Sequence, residues 1–133
     1  MGDVRLTVRI DFGADRALGP GKIRLLETIG KTGSISRAGR ALEMSYRRAW
    51  LLVDDMNRSF REPVVTTQPG GAQGGGAALT AFGREVIAKY RSVESRAAKA
   101  ADAQLRALEA SLRNPATRVQ KKLKTSIKAP AAR

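Results

Sequence analysis

Gly33-Ser-Ile-Ser-Arg-Ala-Gly-Arg-Ala-Leu-Glu-Met-Ser-Tyr-Arg-Arg-Ala-Trp-Leu-Leu-Val-Asp-Asp-Met-Asn57 is the stretch on which the reading of this chain turns. It reads as a helix, a turn of about four residues, and a second helix opening with Ser45-Tyr46-Arg47-Arg48. That pattern can set a short cationic helix start into the major groove of DNA. Ser34 or Ser36 can cap the first helix by accepting from the free N–H groups of its opening turn. Ile35, Ala38, Ala41 and Leu42 form its buried stripe, Gly39 suits close approach of a neighbouring helix, and Glu43-Met44 lie in the turn. Ser45 caps the second helix, which the pattern carries to about Ser59. Ala49, Leu52, Val53, Met56 and Phe60 share one face at three- and four-residue spacing. The opposite side holds Arg47, Leu51, Asp54 and Arg58, flanked by Arg48, Trp50 and Asn57.

On the N-terminal side, residues 4 to 12 alternate: Val4, Leu6, Val8, Ile10 and Phe12 on one face, Arg5, Thr7, Arg9 and Asp11 on the other. Such a period predicts a strand with one buried face. Gly13, Gly19, Pro20 and Gly21 then make a loop, with Pro20 suited to a first helical turn. Ile23, Leu25, Leu26 and Ile29 predict a helix over Lys22 to Lys31, ended by Gly33.

On the C-terminal side, Pro63 to Thr66 and Ala78 to Thr80 flank a Gly-rich loop, Gln68 to Ala77, which predicts a hairpin or wing. Thr80 caps a long helix running to about Arg113, where Asn114-Pro115 stops it. Its apolar line, Phe82, Val86, Tyr90, Val93, Ala97, Ala101, Leu105, Leu108 and Leu112, resembles a coiled-coil seam with a stutter. The far half of such a helix needs a partner, and the simplest is the same helix of a second chain. The expected dimer interface is Val93, Ala97, Ala101, Leu105, Leu108 and Leu112.

A length of 133 residues points to one domain with an extension. The expected parts are residues 1–80, a DNA-binding domain; 81–113, a dimerisation helix; and 114–133, a basic tail. The chain has no Cys and no His, which removes thiol nucleophiles, imidazole bases and the usual zinc ligands. No catalytic residue, metal site or cofactor is expected, and the chain is not read as an enzyme. The N-terminus lacks the features of a signal peptide and no apolar run suits a bilayer, so a cytoplasmic location without membrane contact is expected. A net charge of +13 favours a polyanionic partner, nucleic acid before an anionic membrane. From Asn114 onward there are six basic residues and no acid, so nearly half of the excess lies in the tail. That tail is expected to be disordered when free and to add salt-sensitive, sequence-blind affinity for DNA.

Arg47, Arg48 and Trp50 are the candidates for base contact. Arg47, further from the buried stripe, suits guanine O6 and N7, and Arg48 suits a phosphate. Trp50 has two readings, contact with thymine methyls or a sugar, or packing into the core. Candidates for the DNA backbone are Ser34, Ser36, Arg37, Arg40, Ser45, Tyr46, Arg58 and Gln73. The serines serve equally as caps, and Tyr46 can pack instead. Asp54 and Asp55 share a helix with Arg47, Arg48 and Arg58, which predicts charge pairs within that helix. The Gly-rich loop lacks the Gly-Lys-Ser/Thr ending of a phosphate-binding loop.

Residues 19 to 94 resemble the N-terminal DNA-binding domain of ModE-type molybdate-responsive transcriptional regulators. The matching words are Gly19-Pro-Gly-Lys22, Leu25-Leu-Glu27, Thr32-Gly-Ser-Ile-Ser36, Ala41-Leu42, Met44-Ser-Tyr-Arg-Arg-Ala-Trp-Leu-Leu-Val53, Gly74-Gly-Gly-Ala77 and Leu79-Thr80. The run from Met44 to Val53 is the most specific of them. More distantly the stretch is similar to the winged helix of LysR-type regulators. The resemblance implies a winged-helix domain that dimerises through its long helix and binds a palindromic operator. Two departures qualify it. The residues after Asn114 are too few for the molybdate-binding β-domains of full-length relatives, so neither molybdate sensing nor a small-molecule effector domain is expected. The wing also carries no charged side chain from Val64 to Leu79.

The fold expected is thus mainly α with a small β component: a winged helix-turn-helix with an N-terminal strand and a long C-terminal dimerisation helix. The function expected is a sequence-specific transcriptional regulator acting as a homodimer on double-stranded DNA. The alternatives are an architectural DNA-binding protein of low specificity and an interaction module that docks on another regulator through the long helix.

Overall fold

The computed structural model describes residues 4–71 and 74–113. The expectations for Gln73 and for the tail from Asn114 lie outside the described residues. The elements run β1 (Ile10–Phe12), β2 (Arg16–Leu18), α1 (Pro20–Thr32), α2 (Ile35–Ala41), α3 (Tyr46–Ser59), β3 (Val65–Gly71), β4 (Gly74–Leu79), α4 (Ala81–Ala100) and α5 (Asp102–Ala110). The strands form two separate antiparallel hairpins, β1–β2 and β3–β4. A helix-turn-helix followed directly by a hairpin makes this a winged helix-turn-helix, mainly α with a small β component. Among the described residues no helix is long and apolar enough to cross a membrane. The chain falls into two compact units, Leu6–Ala97 and one in which the described residues are 4–5 and 98–113.

The core of the larger unit is aliphatic. Ile23, Leu25, Leu26 and Ile29 of α1 are fully buried against Ala38 of α2, Ala49, Val53 and Met56 of α3, and Val86 and Tyr90 of α4. Val64, Val65 and Ala77 bring the wing's base into the same cluster. Ala41, expected in that stripe, is exposed, because α2 ends there and the chain turns away.

Local signals set the helix boundaries. Pro20 opens α1, two residues before the expected start, where its missing N–H leaves no bond unmade. Gly33 ends α1 at φ 71°, a left-handed conformation, and its N–H donates to the Ile29 carbonyl at 2.8 Å. Thr80 caps α4: its hydroxyl oxygen accepts from the Gly83 N–H at 2.8 Å and its hydroxyl donates to the Pro63 carbonyl at 2.7 Å.

Two expectations need correction. The N-terminal strand covers only Ile10–Phe12, not residues 4 to 12. Its partner β2 lies in a segment whose glycines and proline predict a loop, and it is three residues long because Gly19-Pro20 turns the chain into α1. Residues 4 to 9 keep the alternating burial without a ladder. The Val8 carbonyl is instead taken by the Tyr90 hydroxyl. The long helix is also interrupted, at Ala101, and α5 stops at Ala110, so Leu112 lies beyond it. The break falls within the stutter of the apolar seam, where two extra four-residue steps locally unwind the repeat. The Ala101 carbonyl still accepts from the Leu105 N–H at 2.9 Å, so helical bonding resumes at once.

Candidate nucleic-acid interface

The two helices of the motif are held by a small-residue crossing. A Cβ placed on Gly39 would sit 3.2 Å from the Ala49 methyl and 3.3 Å from the Met44 carbonyl oxygen, so α2 and α3 meet nearly backbone to backbone. The turn between them includes Glu43 at φ 60°, a left-handed conformation that costs a non-glycine residue about 1–2 kcal/mol. Each helix then starts on a serine. The Ser34 hydroxyl accepts from the Arg37 N–H at 3.0 Å, and the Ser45 hydroxyl from the Arg48 N–H at 3.0 Å. Ser34 is therefore the cap of α2, whereas Ser36 lies inside the helix and is half-buried.

Burying Ala49, Val53 and Met56 turns the opposite face of α3 to solvent. Tyr46, Arg47, Arg48, Trp50 and Leu51 are all exposed. Core packing, one of the readings for Tyr46 and Trp50, is not what these residues do. Leu51 points outward as its helical position predicts. Arg47 and Arg48 pair with no carboxylate among the described residues. Arg37 and Arg40 stand exposed on α2.

The acidic residues of α3 divide their partners. Asp54 pairs within the helix with Arg58 at 3.1 Å, as expected. Asp55 does not: it reaches Lys22 of α1 at 2.7 Å, and the same ammonium donates to the Ala17 carbonyl at 2.8 Å. The Lys22 side chain is mostly buried between these elements, so this contact positions α3 on α1. Arg58, a candidate for the DNA backbone, spends its charge on Asp54 in this arrangement.

Two positioning groups have no local signature in the sequence. The first is Asn57. Its Nδ2 donates to the Val65 carbonyl at 3.0 Å, and its Oδ1 accepts from the Val64 N–H at 2.8 Å and from the Val65 N–H at 3.3 Å. One amide thus fixes the root of the wing to α3, and only one orientation of that amide satisfies all three contacts. The second is an ion cluster between α1 and α4. The Arg91 guanidinium grips both Glu27 oxygens at 2.8 and 3.0 Å and reaches Glu94 at 2.6 Å. Hydrogen bonding from Arg91 holds the Glu27 carboxyl below its ordinary range against the opposing effect of burial. The same carboxylates raise the pKa of Arg91 further, and burial first, then Glu94, raises that of Tyr90.

The wing packs through its base. The Ala77 N–H donates to the Gly33 carbonyl at 2.9 Å, and the Thr80 N–H to the Val64 carbonyl at 3.0 Å. Gly83 lets α4 start against this point, since a Cβ there would lie 2.2 Å from the Val64 carbonyl oxygen. Thr66, Thr67 and Gln68 are exposed along β3. Of the expected seam residues, Val93 is exposed in the larger unit, and Leu108 and Leu112 are exposed in the smaller one; Ala97, Ala101 and Leu105 are half-buried. Among the described residues no group of His, Cys, Asp and Glu is placed to hold a metal ion.

No family model matches the chain. Among curated proteins, the molybdenum transport protein ModE of Azotobacter vinelandii is 44% identical over 90 residues, covering 68% of this chain and 33% of its own length. The molybdenum-pterin-binding protein MopB of Rhodobacter capsulatus is 48% identical over 82 residues, covering 62% of this chain and 30% of its own. The DNA-binding transcriptional dual regulator ModE of Escherichia coli K12 is 38% identical over 71 residues, covering 53% of this chain and 27% of its own. The chain spans about a third of the length of the curated relatives it matches. A solved structure of a Mycobacterium tuberculosis MarR-family protein with p-aminosalicylic acid aligns at a TM-score of 0.45 and 19% identity, over 83% of this chain and 78% of that one. In its N-terminal part, then, this chain carries a ModE-like sequence on a winged helix-turn-helix.

Proposed function

We propose that this chain is a sequence-specific, DNA-binding transcriptional regulator that acts as a homodimer on a palindromic operator. The observation that carries the reading is the start of α3, where a capped helix N-terminus presents Tyr46, Arg47 and Arg48 to solvent on the side away from the core. Such an end attracts phosphate through its free N–H groups and its dipole, and its side chains are short enough a reach from base edges to read them. Arg47 contacts guanine with Trp50 beside it at the bases, and Arg48, next to both, holds a phosphate. Ser34, Ser36, Arg37, Arg40, Ser45, Tyr46 and Arg58 follow the phosphates, Arg58 after exchanging Asp54 for the DNA.

The relatives, which include proteins named as transcriptional regulators, support the same function. They also suggest target genes concerned with molybdenum. Residues 1–80 are the reading part in this proposal and 81–113 the pairing part, through Val93, Ala97, Ala101, Leu105, Leu108 and Leu112. Two half-sites then lie about one helical turn, or a multiple of it, apart.

Selection of duplexes from a random pool, followed by titration of the winner at moderate salt, tests the reading. A palindromic winner bound much more tightly than the pool is the expected result. Equal binding of winner and pool sinks it and favours the low-specificity architectural reading instead. Size-exclusion chromatography with mass detection tests the pairing: a dimer is expected, converted to monomer by Leu108→Arg, and a wild-type monomer refutes it. Genome-wide binding sites of the tagged protein upstream of molybdenum-transport or molybdoenzyme genes would join it functionally to its relatives.

A further inference from the structure

The outer face of α3 carries more than charge. Tyr46 is 56% exposed, Trp50 43% and Leu51 47%, in a protein whose remaining leucines and isoleucines in the motif are buried or half-buried. At about 100° per residue, Leu51 sits directly opposite the Ala49–Val53–Met56 stripe, one turn after Arg47, one turn before Asp54 and two turns before Arg58. Trp50 is one turn after Tyr46 on the flank nearer Asn57, which ties this side of the helix to the wing.

Among the described residues, Leu51 belongs neither to the apolar core nor to the side chains packed against it. Its surroundings are cationic: Arg47 and Arg48 pair with no described carboxylate, and Asp54 is neutralised by Arg58. An apolar side chain inside a cationic face is complementary to a polyanion that displays apolar groups of its own. Duplex DNA has one such group in the major groove, the C5-methyl of pyrimidines, which thymine always carries and cytosine carries only when methylated.

We propose that Leu51, with Trp50 beside it, reads thymine C5-methyl groups in the major groove and so determines where thymine must stand in each half-site. The inference rests on the DNA-binding reading above and adds a specificity determinant to it. Burying one methyl between leucine and indole corresponds to about a fourfold gain in affinity.

The test uses the full chain and the best duplex from a random-pool selection, with deoxyuridine placed at each thymine in turn. This substitution removes only the methyl and keeps the base pair. At one or two positions per half-site, binding falls by about fourfold. Leu51→Ala, at an exposed helical position, folds and melts as the wild type does and binds both duplexes equally, so the methyl effect vanishes in the variant. Trp50→Ala reduces it. If no deoxyuridine position weakens wild-type binding, or if Leu51→Ala keeps the full methyl effect, the proposal is overturned while the DNA-binding reading stands. A gain at 5-methylcytosine without any loss at deoxyuridine overturns the assignment to thymine. Failure to bind any duplex better than the pool overturns both readings.

Discussion

Replacing Asn57 by alanine is the sharpest perturbation of the arrangement that holds wing and α3 together. The amide bonds both polar groups of Val65 and the N–H of Val64, at 3.0, 3.3 and 2.8 Å, and both valines are almost fully buried. In Asn57→Ala those backbone groups lose their partner where water reaches them poorly. A buried polar group left unpaired costs about 1–3 kcal/mol. The 3.3 Å contact is weak, and Asn57 itself is half-buried, so some water enters; the expected total is about 2–3 kcal/mol. For a unit of this size that lowers the melting temperature by about 10–20 °C. Thermal and urea unfolding followed by far-ultraviolet circular dichroism measures it, with the urea slope unchanged. Asn57→Asp separates donor from acceptor. Its carboxylate still accepts from Val64 and Val65 but opposes the Val65 carbonyl, so it is less stable than wild type at neutral pH. Protonation turns one oxygen into a donor, and Asn57→Asp then recovers stability relative to wild type as pH falls. A loss below about 0.5 kcal/mol for Asn57→Ala, the range of ordinary surface changes, would refute the reasoning.

Other substitutions probe the remaining contacts. Gly83→Ala sets a methyl 2.2 Å from the Val64 carbonyl oxygen; because that neighbour is backbone, it destabilises by at least about 2 kcal/mol in urea unfolding, and wild-type stability would show that α4 does not start this close to the wing. Glu27 has a lowered pKa, chiefly through Arg91, so its contribution to stability is complete above its ordinary value of 4.5 and is lost as pH falls through the lower native value. Glu27→Gln accordingly shows a shallower loss of stability below about pH 4.5 than wild type, and identical acid limbs would remove the cluster from the account. Arg47→Ala weakens binding to the selected duplex by about 1–3 kcal/mol and relaxes preference at one position. Arg48→Ala weakens all duplexes alike and lowers the salt slope by about one; the reverse pattern in fluorescence-anisotropy titrations would exchange the two roles.

What could be read from the sequence was what is locally encoded. The caps at Ser45 and Thr80, the stop at Gly33 and the close crossing at Gly39 each follow from one residue and its nearest neighbours, and each stands in the structure; between Ser34 and Ser36, which suit the cap of α2 equally by sequence, the structure selects Ser34. The wing was legible because two β-prone segments bracket a Gly-rich stretch, but its strands, Val65–Gly71 and Gly74–Leu79, run through most of the Gln68–Ala77 stretch whose glycines predict a loop. What was not legible is either too short or too distant. A three-residue strand such as β2 shows no period, and β1 shrinks to match it. Asp55, Asn57 and, through Glu27, Arg91 find partners on other elements, whereas the sequence pattern pairs Asp55 within its own helix and puts Asn57 only on a flank. A helical wheel places Trp50 and Tyr46 near the edge of the buried stripe, where a small rotation decides between core and solvent; both proved exposed. The interruption at Ala101 has neither Gly nor Pro to mark it, only the irregular seam.

Trp50 is the only tryptophan of the chain, and it stands partly out of the protein on α3. All indole emission from this molecule therefore originates at one spot on one helix. A ligand that covers this spot dries the ring and moves its emission to shorter wavelength, whereas an event elsewhere leaves the spectrum unchanged. The unmodified protein carries its own optical gauge, and the residue that supplies the signal is the one whose contacts are in question.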